Sequence, residues 1–275
     1  VNEGGIMFIS HKNTLKENKY DVVIQDNNHT VAFNNKLVSN ICPHQGSLIS
    51  TCSGSDNRIC PYHGKVFDPD GNGVNTSLKL ETYPLYEWRG LHFTEQFEDD
   101  CLGDLSFDDY MLTEKRIDRV KASRQAIVEL FLDVEHINHV HAGVYNKIGI
   151  SENDIGDIEW NIYSWGSVQI VRNFDVVKAA WVTIYPGTMI EYQNDSLFIT
   201  VAGETDTDGY TNVYVFKYKH TQMSDSLYAL NSDVWEEAWS QDKAQAELIV
   251  RLAPINNLEP GQVEYRKWQN AINKG

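Results

Sequence analysis

The chain has 275 residues, 41% of them hydrophobic and 23% charged, the composition of a soluble globular protein with room for two modest domains. Its net charge of −16 at pH 7 argues against a nucleic-acid partner, whose phosphates it would repel. No apolar run reaches the length of a membrane span, and no basic segment followed by an apolar stretch opens the chain, so neither a membrane nor a leader is expected and a cytoplasmic setting is.

The first hundred residues are strand-like. Tyr20–Ile24 and Thr30–Phe33 are short β-rich runs separated by the turn signal Asp26-Asn27-Asn28, and Lys36–Ile41 follows. Phe67-Asp-Pro-Asp-Gly71 and Asn72-Gly73 are further turns, and Leu80–Tyr86 and Gly90–Phe93 close the set. Many short strands with such turns predict a small antiparallel sandwich.

Two loops interrupt these strands, Cys42-Pro-His44-Gln-Gly46 and Cys60-Pro-Tyr-His63-Gly64. Each offers one thiolate and one imidazole. A [2Fe-2S] pair in which one iron takes two thiolates and the other two imidazoles needs this donor set, and each loop then supplies one ligand to each iron. A Cys2His2 zinc site is the competing reading, although zinc fingers pair Cys with Cys and His with His, whereas here both loops are mixed. The remaining cysteines, Cys52 and Cys101, read as unpaired thiols.

Residues 95–109 hold seven acids and no base, the pattern of a solvated linker, and the domain boundary is expected just after it, giving domains 1–112 and 113–275. The pattern then changes. Ser123 is a plausible N-cap for a helix to His136, with Ala126, Ile127, Leu130, Phe131 and Val134 at helical spacing. Strand runs follow at 167–171, 180–185, 196–201 and 211–218, separated by Pro186-Gly187, Asn194-Asp195 and Asp208-Gly209, and then a long helix from Asp225 to about Leu252. The second domain is therefore expected to be α+β.

Asp133, His136, His139 and His141 crowd one helix end. On helical geometry alone His136 pairs best with His139, which lies on the same face; the i+5 position of His141 is roughly 140° further round. Among acids of the last long helix, Asp242, Glu236, Glu237 and Glu247 are the candidate carboxylates, most simply solvated charges. Trp160, Trp165, Trp181, Trp235 and Trp239 read as core rather than pocket.

The two Cys/His loops, the D-x-x-H-x-x-x-x-H pattern of Asp133, His136 and His141, the run Trp181–Pro186 and the final helix resemble the Rieske non-haem iron oxygenases, terminal oxygenase (α) subunits, most closely the demethylase and monooxygenase group. The resemblance implies an N-terminal all-β Rieske [2Fe-2S] domain ligated by Cys42, His44, Cys60 and His63, followed by an α+β catalytic domain with an antiparallel sheet and a long C-terminal helix. It implies a mononuclear Fe(II) on His136, His141 and Asp242, the last because an Asp-Lys pair with a Glu five residues on stands there, and it gives Asp133 the role of an electron bridge. It implies O2 as co-substrate, a separate reductase or ferredoxin, a homotrimer, and hydroxylation, dihydroxylation or demethylation of a small organic compound, an aromatic or ring compound foremost. Gln45 stands where the family usually has Arg, and Leu130 where it often has Asn. The alternative class is a Rieske electron-transfer or sensing protein without oxygenase activity.

Overall fold

The computed structural model of the chain describes residues 6–18, 20–23, 29–33, 36–49, 57–133, 135–249 and 258–272. Ile24, the turn at 26–28, Cys52, Val134 and the expected helix end at Leu252 lie outside them. Two compact units emerge, Phe8–Glu98 and Asp99–Gly275, with Ile6 and Met7 belonging to the second.

The first unit is built of short antiparallel strands. β1 (Phe8–His11) runs into a helix, α1 (Lys12–Asn18), and β2 (Tyr20–Val22), β3 (Thr30–Phe33) and β4 (Lys36–Ser39) follow. β5 (Arg58–Ile59) and β6 (Val66–Phe67) form a hairpin, and β7 (Thr82–Pro84), β8 (Tyr86–Trp88) and β9 (Leu91–Phe93) complete the unit. The sheet orders are β1-β9-β8 and β2-β3-β4-β7. Helix α1 departs from the strand-like reading of this region. Its start is stabilised by the His11 ring, whose Nδ1 accepts from the Asn13 N–H at 3.0 Å, and it buries Thr14 and Leu15.

The second unit begins with β10 (Tyr110–Val120), then α2 (Arg124–Phe131), α3 (Glu135–Val140), a 3-10 turn (Tyr145–Ile148) and α4 (Glu152–Gly156). A meander follows: β11 (Glu159–Tyr163), β12 (Gly166–Asn173), β13 (Val176–Ile184), β14 (Thr188–Gln193), β15 (Ser196–Thr205) and β16 (Thr211–His220). It forms a seven-stranded antiparallel sheet, with β10 added beside β16. Helices α5 (Asp225–Leu248) and α6 (Pro260–Ile272) close the chain. The Asn194-Asp195 turn joins β14 and β15 with both residues at positive φ, the two-residue hairpin geometry that matches strand twist.

The single helix expected over 123–136 is two. Ser123 does cap α2, its hydroxyl accepting from the Ala126 N–H, but the helix stops at Phe131. Asp133 then offers its own carboxylate to the backbone N–H of His136 at 3.2 Å, the local side-chain bond by which Asp starts a new helix rather than continuing an old one. The acidic stretch is not a free linker within the second unit: Leu102 and Phe107 are buried there, and the Tyr163 hydroxyl donates to Asp100 at 2.6 Å and lies 3.4 Å from Cys101 Sγ. Two apolar anchors outweigh the solvation of the acids around them.

Helix α5 holds the core of this unit. Its buried residues, Asn231, Val234, Trp235, Ala238, Trp239, Asp242 and Ala246, recur at helical period and form one stripe. Trp235 stacks on Phe198 of β15 with ring centres 5.1 Å apart and planes at 12°. Helix α6, which begins at a proline as helices readily do, is tied to α2 through Arg266, which grips the buried Glu129 carboxylate with two bonds of 2.6 and 2.7 Å.

Candidate metal centres

The two Cys/His loops repeat one backbone plan. In the first, Cys42 N–H donates to Ser47 O and Gly46 N–H to Cys42 O, both at 2.8 Å; in the second, Cys60 N–H donates to Lys65 O at 2.8 Å and Gly64 N–H to Cys60 O at 3.0 Å. Gly46 and Gly64 both take a positive φ, 73° and 63°, which lets each loop turn back after its ligand pair. Cys42 and Cys60 are buried, and His44 and His63 are exposed with ring centres 4.8 Å apart. Arg58 bridges the two loop bases, its Nη2 donating to Asn40 Oδ1 at 2.6 Å. Burial pushes the Cys42 thiol up; burial acts on Cys60 in the same sense, but the backbone N–H of Tyr62 and the Cys42 thiol hold it below its ordinary value. Inner thiols and outer imidazoles, with amide N–H groups aimed at sulfur, suit a cluster whose outer iron is histidine-bound.

The second centre lies in the Asp99–Gly275 unit. Among the described residues, His136, His141 and Asp242 form the one group of three potential ligands whose donor atoms all lie within 4.8 Å of one another. His136 Nε2 and His141 Nε2 are 3.3 Å apart, and Asp242 Oδ1 lies 3.3 and 2.9 Å from them. Asp242 Oδ1 is buried without a partner of hydrogen-bond geometry. Two imidazole nitrogens and a carboxylate oxygen converging in a largely buried place form a donor set that suits a cation. Burial alone would push the His141 imidazole down, yet Asp242 raises it; burial alone would push Asp242 up, yet the two imidazoles hold it below the usual carboxylate range.

His139 stands on the exposed side of α3 and takes no part. His141 falls just past the end of α3, which is how an i+5 residue comes to face His136. The rival acids are engaged elsewhere: Glu236 with Arg116 and Lys217, Glu237 with Lys147, and Glu247 with the backbone N–H of Lys121. Asp133 caps α3 through His136 N–H, while His136 Nδ1 is buried without a partner among the described residues. Gln241, which sequence reasoning passed over, places Oε1 2.8 Å from His141 Nδ1. That bond puts the ring proton on Nδ1 and leaves the Nε2 lone pair facing the centre.

A small pocket opens on these residues. Phe131, Ile137, Tyr145 and Met189 give it apolar walls, and Gln169, Trp181 and Glu191 form its floor. Trp181, read from sequence as core, is thus both buried and pocket-lining, whereas Trp235 and Trp239 belong to the core under α5. Glu191 is buried, its Oε1 accepting from the Tyr145 hydroxyl at 3.1 Å, and burial pushes its carboxyl up to about 7. Its sequence signal is a lone acid within the otherwise apolar centre of Thr188–Gln193.

Residues 6–84 match the Rieske [2Fe-2S] domain family. The chain thus carries a Rieske domain, and its fold is that of the Rieske oxygenases. Putrescine 2-hydroxylase of Ralstonia nicotianae is 24% identical over 224 residues, 66% of this chain and 60% of that protein, so the match spans less than two thirds of the relative's length. The quaternary ammonium Rieske monooxygenase CntA superposes over 100% of this chain and 89% of its own with a TM-score of 0.73 at 14% identity. NdmA of Pseudomonas putida CBB5 covers 90% of the chain and 83% of its own at a TM-score of 0.53 and 17% identity. These structural likenesses are of fold. No described helix of the chain is long and apolar enough to cross a membrane.

Proposed function

We propose that the chain is the oxygenase component of a cytoplasmic, reductase-dependent system, with Cys42, His44, Cys60 and His63 holding the [2Fe-2S] cluster and His136, His141 and Asp242 holding a mononuclear iron(II). The observation that carries this reading is the buried convergence of two imidazoles and one carboxylate within 4.8 Å, in a chain that also has a Rieske domain. Two neutral imidazoles and one carboxylate form the facial donor set of oxygen-activating non-haem iron and leave positions open for O2 beside the substrate. Bound there, iron(II) supplies the O2 activation that hydroxylation, dihydroxylation or demethylation of a small organic substrate requires.

The protein's own residues orient and enclose. Gln241 fixes the His141 tautomer, and the row Gln169, Trp181 and Glu191 presents the substrate to the ligands from the sheet side. Phe131 and Ile137 exclude water on the helix side. Asp133, already bonded to the His136 backbone N–H, would orient a histidine on the electron path. The solved relatives include one described for inter-subunit electron transfer, which supports a homotrimer and a separate reductase or ferredoxin as partners.

The test is iron and acid-labile sulfide per chain in anaerobically purified protein, beside His141→Ala. Three irons for two sulfides, with one iron lost in the variant, is the expected result. Two irons for two sulfides in both proteins, even after iron(II) is added back, would leave an electron-transfer or sensing protein.

A further inference from the structure

We infer that the pocket beside His136, His141 and Asp242 selects a small organic ammonium ion and that Glu191 is the residue that recognises it, an inference that takes from the proposed function only the identity of this pocket as the substrate site. Glu191 lies directly across from Trp181 on the neighbouring strand, and Trp181 directly across from Gln169, so the three share one face of the sheet in a single cross-strand row. That row is the pocket floor. Only 3% of Glu191 is exposed, and among the described residues no lysine or arginine pairs with it; its hydrogen-bond partners, the Tyr145 hydroxyl and the Trp181 side chain, are neutral. A carboxylate in such a place is costly unless a cation compensates it, and a mid-strand position facing aromatic rings would otherwise hold a Val or Ile.

The rest of the lining agrees in sign. Among the described residues no lysine or arginine lines the pocket, so no permanently cationic side chain there recruits an anion. The Tyr145 and Trp181 rings meet edge to face at 5.9 Å, and Phe131 lines the same space; ring faces favour cations most when water is excluded. Gln169 is 1% exposed, and its Nε2 has no partner among the described residues, so the floor holds a second buried polar group that awaits an acceptor atom of the ligand.

The experiment is anaerobic calorimetry on the metal-loaded full chain, with n-butylammonium, 1,4-butanediammonium and tetramethylammonium as cations and 1-butanol as the neutral control. The metal is kept in place because an unmetallated Asp242 would itself attract a cation. At least one ammonium should bind about 10-fold or more tightly than 1-butanol, and Glu191→Gln should weaken it on the order of 30-fold while leaving 1-butanol unchanged. Glu191→Asp should recover part of the preference, and circular dichroism confirms that each variant is folded. Wild-type protein that binds no ammonium better than 1-butanol overturns the inference without recourse to any variant. So does a folded Glu191→Gln protein that keeps the preference, which would mean that Glu191 merely balances the metal's charge. Metal analysis of the same samples separates the two proposals. Three irons without ammonium preference keeps the oxygenase and removes this inference; a Glu191-dependent preference with cluster iron alone does the reverse.

Discussion

Gln241 Oε1 and His141 Nδ1 lie 2.8 Å apart, so the residue next to the candidate carboxylate ligand is the one that orients a candidate histidine ligand. Adjacent positions on α5 thus act on the same centre, Asp242 directly and Gln241 through the ring of His141. Replacing Gln241 by Leu should lower metal affinity by about 10- to 100-fold, the usual cost of losing such a hydrogen bond. Gln241→Glu should retain most of it, because a carboxylate also accepts from Nδ1–H. Competition titration of cobalt(II) against a chelator reads both.

The α5–β10 seam should make the protein acid-sensitive. Burial opposes the charges of Glu114, Asp118 and Glu236, but Arg116, with Lys217 and Lys243, holds all three carboxyls below their ordinary values. A carboxylate whose folded pKa is depressed contributes stability that is complete above its unfolded value and lost as pH falls through the folded one. The contribution is therefore whole above about pH 5 and fades below the ordinary values of 4.5 for Glu and 3.8 for Asp. Melting temperature measured from pH 6 to pH 2.5 should fall across that window. Arg116→Gln should lower the plateau and flatten the fall; an unchanged slope would mean that other carboxylates govern acid unfolding.

Trp235 is the keystone of the helix-sheet core, between Phe198 and Trp239 at 5.1 and 6.2 Å. Trp235→Ala should destabilise the second unit by about 3–5 kcal/mol through lost burial and the cavity left behind. Trp235→Phe, which keeps a ring against Phe198, should cost less. Urea denaturation followed by far-UV circular dichroism measures both.

Arg266 and Glu129 form a buried ion pair between α6 and α2. Arg266→Met should cost about 3–5 kcal/mol, since it leaves the Glu129 charge with only Gln125 for company. The double variant Glu129→Leu/Arg266→Met should recover much of that loss. Equal losses in the single and double variants would show that packing of the Arg266 stem, rather than charge, holds α6 in place.

Some of this was legible along the chain and some was not. The Cys/His loops are legible because their constraint is local: thiolate, imidazole and turning glycine lie within five residues in each. The meander strands are legible from their β-branched runs and Asn, Asp and Gly turns. β10, β11 and β14 are not legible in this way, β14 because a central acid breaks its apolar pattern; α1 is short, and α6 owes its place to what it packs against.

By itself the sequence determined the candidate ligand types and the two-part α+β organisation, because both rest on local pattern. Only the tertiary structure decided which histidine accompanies His136, because helical period favoured His139 and the chain turns at the end of α3 to bring His141 in instead. It alone joined Asp242 to them and set Glu191 beneath, for these residues come from two helices and a strand, and convergence across such separations is a property of packing rather than of spacing.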